Sequence, residues 1–165
     1  MTTIVRRLVA VLVATGALVA GVGPATAFAA EPEHKVHVSG AGHTIIEGGT
    51  GGANPVPVQT VLAVHATPSG GHFECLALAP HNPTGQDSGQ FTDNVMYVTG
   101  PVTYTAVHGH SAVLRGTATV TGLGAGQNMP FTLTVWEGGP GTTVVLEISG
   151  MTFHEILLDG KITVD

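Results

Sequence analysis

The sequence predicts an all-β protein: a single antiparallel β-barrel of about 8–10 strands, with a two-sheet β-sandwich as the alternative. Three observations lead to this fold class. Every apolar run after residue 30 is short and bounded by Gly, Pro, Asn or Asp, as strands and turns are. No stretch repeats apolar residues at helical spacing over three turns. Strands joined by such short turns suit an up-and-down barrel, in which closure removes exposed sheet edges.

Residues 1–29 have the features of a secretory signal peptide. Arg6 and Arg7 precede an uncharged apolar run over residues 8–22, and a segment of small residues follows. The apolar run is shorter than the roughly 20 residues that a membrane-spanning helix needs. The pattern therefore predicts export and removal of this segment, with an uncleaved membrane anchor as the alternative.

The small residues also predict the cleavage site. Ala27 and Ala29 satisfy the small-x-small rule, which favours cleavage after Ala29, with the bond after Ala27 as the second candidate. Residues 30–165 then form a single secreted β-domain with no membrane attachment.

The charge of residues 30–165 limits the possible partners. Three fixed cations oppose eleven carboxylates, which gives a formal net charge of −8 with histidine neutral. Nucleic acid and anionic lipid both require a basic surface, so we expect neither as a partner. Cys75 is the only cysteine, which excludes an intramolecular disulfide and predicts a small buried side chain, with a reactive thiol or a link between two chains as the alternative. The composition indicates no particular oligomeric state.

The strands follow in order from the apolar runs and the turn residues between them. They are predicted at residues 34–40, 43–47, 58–66, 72–79, 94–99, 101–107, 111–121, 131–137, 142–149, 152–158 and 161–165. Some of the short strands can merge.

Two hairpins have registers that place apolar residues on one face. Setting Ala66 opposite Phe73 turns inward the set Leu62, Val64, Phe73, Cys75 and Ala77. Setting Glu137 opposite Thr142 turns inward the set Phe131, Leu133, Val135, Val144, Leu146 and Ile148. The second register leaves Trp136 on the outer face or near a rim.

At the C-terminus, Asp159-Gly160 is a strong signal for the type I′ turn of a hairpin. With Leu158 opposite Lys161, the more apolar face should be the inner one, and it holds Phe153, Glu155, Leu157, Ile162 and Val164. Glu155 then lies among apolar neighbours, where desolvation would raise the pKa of its carboxyl. The alternative is a position at a strand end, where Glu155 reaches water.

Residues 102–120 predict a hairpin around His108-Gly109-His110. A three-residue turn pairs Val107 with Ser111 and best separates apolar from polar residues between the two faces of the hairpin. A two-residue turn over His108-Gly109 is the alternative. The inner face of the first register holds Val102, Tyr104, Ala106, Ala112, Leu114 and Gly116. Small inner residues either allow close packing or leave room for a ligand. We therefore predict a ligand-binding set of Tyr104, Ala112, Gly116 and Glu155.

His108-x-His110 is the strongest candidate for a metal site, because residues two apart on a strand share a face. In the preferred register both histidines lie in the turn, and a third ligand would have to come from elsewhere. We therefore predict no metal and no cofactor, with His108 and His110 as the alternative ligands. The nine histidines are interpreted as exposed polar residues, with a pH-sensitive surface as the alternative.

Two glycine-containing stretches carry a resemblance to a known group of proteins. They read Val102-Thr103-x-x-x-Val107-x-Gly109-x-x-Ala112-x-x-x-Gly116 and Pro130-Phe131-x-Leu133-x-Val135-x-Glu137-x-Gly139. Over roughly residues 34–165 the chain resembles small exported β-proteins of actinobacteria, most of them hypothetical secreted proteins. The resemblance implies a barrel-like fold and an extracellular setting. It implies no activity and no functional residues.

Three functions are compatible with these features. The leading hypothesis is a non-catalytic extracellular module that binds a small, largely apolar molecule inside the barrel. The second is a small barrel isomerase or cyclase that uses Glu155 as acid or base. The third is a structural or interaction protein of the cell surface, which would use the acidic exterior, Trp136 and the loop at 80–90. The sequence contains no Gly-x-Ser-x-Gly, phosphate-binding loop or His-Glu-x-x-His motif, which favours binding over catalysis.

Overall fold

The computed structural model describes residues 36–81 and 90–165. The predicted signal peptide at 1–29 and most of the loop at 80–90 lie outside the described residues. The strands are β1 (Val38–Ile46), β2 (Gln59–Thr67), β3 (Gly70–Pro80), β4 (Phe91–His108), β5 (Ser111–Gly122), β6 (Gly126–Trp136), β7 (Thr143–Ile148), β8 (Met151–Leu157) and β9 (Lys161–Val164). In this part of the chain, no helix is both long and apolar enough to cross a membrane.

Eight of the strands close into an antiparallel barrel. Each strand from β1 to β7 pairs with the next one in sequence, and β8 pairs back with β1. The extra strand β9 pairs with the first half of β1. The predicted all-β barrel is confirmed, and the sandwich alternative is wrong.

The first strand is longer than predicted. The predicted strands at 34–40 and 43–47 are replaced by the single strand β1, which contains Gly42 near its centre. A Cβ at Gly42 would lie 2.1 Å from the backbone oxygen of Asp159. This glycine therefore marks a close approach of two backbones within a strand, and not a break between strands.

The predicted C-terminal hairpin is wrong, because β8 and β9 both pair with β1. Thr44 lies opposite Leu157 of β8, whereas Val38 lies opposite Val164 of β9. The free edge of β1 offers hydrogen-bonding groups along its whole length, so the two short strands lie end to end along it. Asp159 and Gly160 form the step between them. The predicted inner faces of β8 and β9 are confirmed, with buried side chains at Glu155, Leu157, Ile162 and Val164.

In the other two outer hairpins, the predicted inner face is correct in both, but the predicted strand pairing is correct in only one. The predicted pairing of β6 with β7 is confirmed residue by residue, including Phe131 opposite Ile148. In the pairing of β2 with β3, Phe73 lies opposite Val64 and not opposite Ala66. A shift of two residues keeps every side chain on its face. The predicted inner set is therefore buried even though the pairing was wrong.

The central hairpin of β4 and β5 adopts neither predicted register over its whole length. The turn has two residues, Gly109 and His110, so that His108 lies opposite Ser111. Val102 lies opposite Gly116, as the three-residue turn predicted, but a β-bulge at Thr103 shifts the pairing by one residue beyond that point. A one-residue shift turns the following side chains to the other face of the sheet.

Side chains fill most of the barrel interior. The rings of Phe73 and Phe131 are in contact within it, with their centroids 5.4 Å apart. Cys75 is buried as predicted. The buried polar or charged residues of the described chain are only three, Thr44, Thr60 and Glu155. Because polar groups are costly to bury without partners, this concentration identifies the part of the interior with unusual chemistry.

Candidate functional site

Tyr104 lies on the outer face of the barrel, so the prediction of an inner-face position is wrong. Its side chain is 49% exposed. The bulge at Thr103 reverses the face of the strand and places Tyr104 opposite Arg115. The Arg115 guanidinium carbon lies 5.4 Å from the centre of the Tyr104 ring, a cation–π contact at the surface.

Ala112 and Gly116 lie where the core is packed. Ala112 is fully buried between Val107 and Val135. A Cβ at Gly116 would lie 2.9 Å from the Phe131 ring and 2.0 Å from the backbone oxygen of Pro101. The small inner residues of β5 therefore allow close packing, one of the two outcomes that the sequence left open. Gly116 also borders an open groove on the outside of the barrel.

His108 and His110 lie at the exposed tip of the central hairpin. The Nδ1 atom of His110 lies 2.6 Å from Oε2 of Glu137. Within residues 36–81 and 90–165, no three His, Cys, Asp or Glu side chains are grouped so that they could hold a metal ion. The geometry of this turn therefore supports a histidine–carboxylate pair.

Glu155 is the predicted site residue with the most unusual surroundings. Its side chain is 2% exposed. The hydroxyls of Thr44 and Thr60 both donate to Oε2 of its carboxyl group, and the Thr60 bond measures 2.6 Å. The two hydroxyls also lie within hydrogen-bonding distance of each other. Every hydrogen bond found for the carboxyl group within the described residues reaches Oε2.

Strand pairing brings these three side chains together. Thr44 on β1 lies directly opposite Thr60 on β2. On the other side of β1, Ile46 lies opposite Glu155, one inward position along from Thr44. The three strands thus present one short polar row to an otherwise apolar interior. Because the row crosses the β8–β1 pairing, it exists only when the barrel is closed.

Burial determines the protonation chemistry of this row. Desolvation raises the pKa of the Glu155 carboxyl, and hydrogen bonds from Thr44 and Thr60 offset part of that rise. Desolvation likewise raises the pKa of the nearby Cys75 thiol, with a further contribution from the Glu155 charge, while a hydrogen bond with Thr60 opposes it. The site therefore favours a neutral acid and a neutral thiol over charged groups.

A small cavity adjoins the Glu155 carboxyl. Its volume is about 20 Å³, and its lining residues are Ile46, Thr60, Cys75, Ala77, Met96, Val98, Leu146, Phe153 and Glu155. A cavity of this size has room for one water-sized group. Since Oε2 is occupied by the two threonine hydroxyls, Oε1 is the carboxyl oxygen left to face this space.

A second, larger pocket opens at the adjacent end of the barrel, and we call it the mouth pocket. Its volume is about 210 Å³, and it is lined by Ile46, Gly49, Thr50, Val58, Ala77, Val95, Met96, Leu123, Met151 and Phe153. Four of these residues, Ile46, Ala77, Met96 and Phe153, also line the small cavity. The same side chains thus form the partition between an apolar pocket and a buried carboxyl group.

Sequence reasoning found Glu155 but missed the residues that complete the site. Thr44 and Thr60 each place one hydroxyl group on the inward face of a strand that is otherwise apolar on that face. This isolated hydroxyl was the signal available in the sequence. Met96 and Phe153 gave no signal, because apolar residues at inward positions are ordinary core. Their role depends on the position of the mouth pocket.

Comparison of the chain with protein-family models, curated proteins and solved structures finds no match. The geometry of the barrel mouth and of the Glu155 site is therefore the basis for a functional proposal.

Proposed function

We propose that the protein is a secreted, non-catalytic binding module for a small, largely apolar molecule held at the mouth of the barrel. The observation that carries the proposal is the partition between the mouth pocket and the Glu155 cavity. Ligand sites typically combine an apolar lining with a few placed polar groups. Here eight of the mouth-pocket residues are apolar, and the polar row of Thr44, Thr60 and Glu155 lies directly behind them.

The volumes limit the size of the ligand. A dry cavity of about 150 Å³ lined by Leu, Ile and Phe binds benzene in a well-studied case. The mouth pocket, at about 210 Å³, therefore has room for a single ring or a short branched chain. The cavity of about 20 Å³ has room for one oxygen-sized group of the ligand. Rotation of Met96 or Phe153 would join the two spaces, and methionine is well suited to such a movement because its side chain is flexible.

Toluene bound to the full chain carrying ¹³C-labelled methionine methyl groups tests this proposal. Met96 lines the mouth pocket, Met129 lines the outer groove and serves as an internal control, and Met151 lines both. We expect a saturable shift of the Met96 methyl signal, with a smaller effect on Met129. Absence of a saturable shift up to the solubility limit of toluene would overturn the proposal.

A matched pair of variants locates the binding. Val95 is half-buried at the mouth, so Val95→Phe should fill the pocket and abolish the shifts. Val61 is 38% exposed on the outer face, so Val61→Phe makes the same chemical change away from the mouth. Equal loss of binding in both variants would count against a site at the mouth.

An isomerase or cyclase that uses Glu155 is the second candidate. A buried carboxyl group with a raised pKa is typical of acid–base catalysts, and this observation favours it. Cyclohexanone in D₂O gives a direct test, since an acid–base group at Oε1 would exchange the α-protons of the ketone. Exchange that disappears in Glu155→Gln supports catalysis, and recovery of unexchanged ketone supports binding alone.

A further inference from the structure

The hydrogen bonds at Glu155 distinguish its two carboxyl oxygens. A neutral carboxyl group has one carbonyl oxygen with two lone pairs and one O–H donor. Oε2 accepts two hydroxyl protons, one from Thr44 and one from Thr60. An oxygen that accepts two donors acts as the carbonyl oxygen. With both hydroxyls donating to Oε2, the oxygen left to hold the carboxyl proton and to face the small cavity is Oε1.

We infer that Glu155 selects ligands with a hydrogen-bond acceptor, such as the carbonyl oxygen of an aldehyde or ketone, by donating the Oε1 proton to it. This inference rests on the proposed function and names the chemical class of its ligand. The apolar body of the molecule occupies the mouth pocket, and its carbonyl oxygen occupies the cavity of about 20 Å³. A purely apolar ligand of the same shape gains nothing from Glu155.

Among the residues that the structure describes, no charged group lines the cavity besides Glu155 itself. β1 and β2 present the hydroxyls of Thr44 and Thr60 to the carboxyl group, and β3 presents the thiol of Cys75. The residues that β4 and β7 contribute to the cavity lining are apolar, namely Met96, Val98 and Leu146. Among the described residues, no lysine, arginine or histidine lines the cavity. The carboxyl group therefore has no cation beside it that would favour the ionised form.

Selection of an acceptor makes binding depend on pH. When Glu155 ionises, Oε1 loses its proton and becomes a negatively charged acceptor. A carbonyl oxygen in the cavity then faces another acceptor, while the apolar body of the ligand is unaffected. The protein should therefore bind aldehydes and ketones at low pH and release them as the pH rises through the pKa of Glu155.

Benzaldehyde and toluene are suitable probes, because they share a ring and differ in the acceptor oxygen. Their dissociation constants are measured from the Met96 methyl signal of the full chain between pH 4 and pH 8. At low pH we expect benzaldehyde to bind roughly three- to tenfold more tightly than toluene, as one net hydrogen bond allows. Above the pKa of Glu155 its dissociation constant should rise by up to about tenfold per pH unit, while that of toluene stays constant.

Two variants separate the role of the proton from that of the fold. In Glu155→Gln, the amide oxygen can accept both hydroxyls while the amide N–H points into the cavity. This variant should retain the preference for benzaldehyde at every pH. Thr60→Val removes a donor that favours the ionised form, so the pH of release should move upward. Thr117→Val, the same change at an exposed position of β5, should leave it unchanged.

The outcomes distinguish this inference from the proposed function. If toluene binds but benzaldehyde shows no advantage or no pH dependence, the inference is overturned and the apolar site stands. If neither probe binds, the proposed function fails first. If Glu155→Gln does not fold, the direction of the Thr60→Val shift still decides, and a downward shift or none would overturn the inference.

Discussion

Replacing Glu155 by glutamine should change how the stability of the barrel depends on pH. Glu155 is 2% exposed and desolvation raises the pKa of its carboxyl group, so the folded state binds this proton more tightly than the unfolded chain does. Below the unfolded glutamate pKa of about 4.3, both states are protonated and the group has no pH dependence. Above that value the unfolded chain ionises first, and the folded state becomes progressively less favoured.

The magnitude follows from the difference of one proton. Between the unfolded and the folded pKa, the free energy of unfolding should fall by about 1.4 kcal/mol per pH unit relative to Glu155→Gln. The decline should end where the folded carboxyl itself ionises, so the end of the slope locates that pKa. The contribution of a raised carboxyl pKa is thus present at low pH and lost as the pH rises, the reverse of an ordinary salt-bridged carboxylate.

Urea unfolding at half-unit steps between pH 3.5 and pH 8 measures this difference. Trp136 is the only tryptophan and is 41% exposed in the fold, so its fluorescence should report unfolding, with circular dichroism as the second signal. Glu147→Gln, the same substitution at an exposed position of β7, controls for the change in net charge. A wild-type curve that runs parallel to that of Glu155→Gln over the whole range would refute a buried carboxyl with a raised pKa.

Three further predictions concern the core and the surface. Leu114→Ala should lower the free energy of unfolding by roughly 2–5 kcal/mol, because Leu114 is fully buried, whereas Leu158→Ala at a 43% exposed position should cost much less; urea unfolding compares them. The Cys75 thiol should react with a disulfide reagent at pH 8 far more slowly in the folded protein than in urea, and comparably fast modification in both would contradict its burial and raised pKa. Hydrogen bonds from the backbone and side chain of His43 lower the pKa of Asp159, so any stabilisation relative to Asp159→Asn should be present above the unfolded aspartate pKa of about 3.9 and disappear as the pH falls below it.

The sequence predicted which side chains point into the barrel better than it predicted which strands pair. Face depends only on the alternation of apolar and polar residues, which is a local property. It placed Glu155 and Leu157 inside correctly, although the hairpin from which this was argued does not form. Pairing depends on which edges are free in the closed barrel. β8 pairs with residues 44–46 of β1 and so closes the barrel, and β9 pairs with residues 38–41 of the same strand. No local signal within residues 151–165 predicts this choice of partner.

Tyr104 shows the limit of the face argument. Alternation assigns a face only while the strand continues without interruption, and a bulge adds one residue and reverses the assignment. Thr103 carries no signal in the sequence that distinguishes a bulged residue from a regular one. The predicted ligand-binding set is therefore divided: Glu155 lies beside the small cavity, Ala112 lies in the packed core, Gly116 is half-buried against the Phe131 ring, and Tyr104 lies outside.

The position of the row formed by Thr44, Thr60 and Glu155 supports a role for these residues in ligand binding. A buried carboxyl group is expected to destabilise a barrel near neutral pH, and an apolar side chain of similar volume would avoid that cost. Thr44, Thr60 and Glu155 come from three strands and gather at one point of an interior that is otherwise apolar in the described chain. They lie behind the mouth pocket, and neither Phe73 nor Phe131 lines the cavity beside Glu155. A group that meets a ligand would have to lie at such a position, and this supports the proposal that a small molecule binds at the barrel mouth.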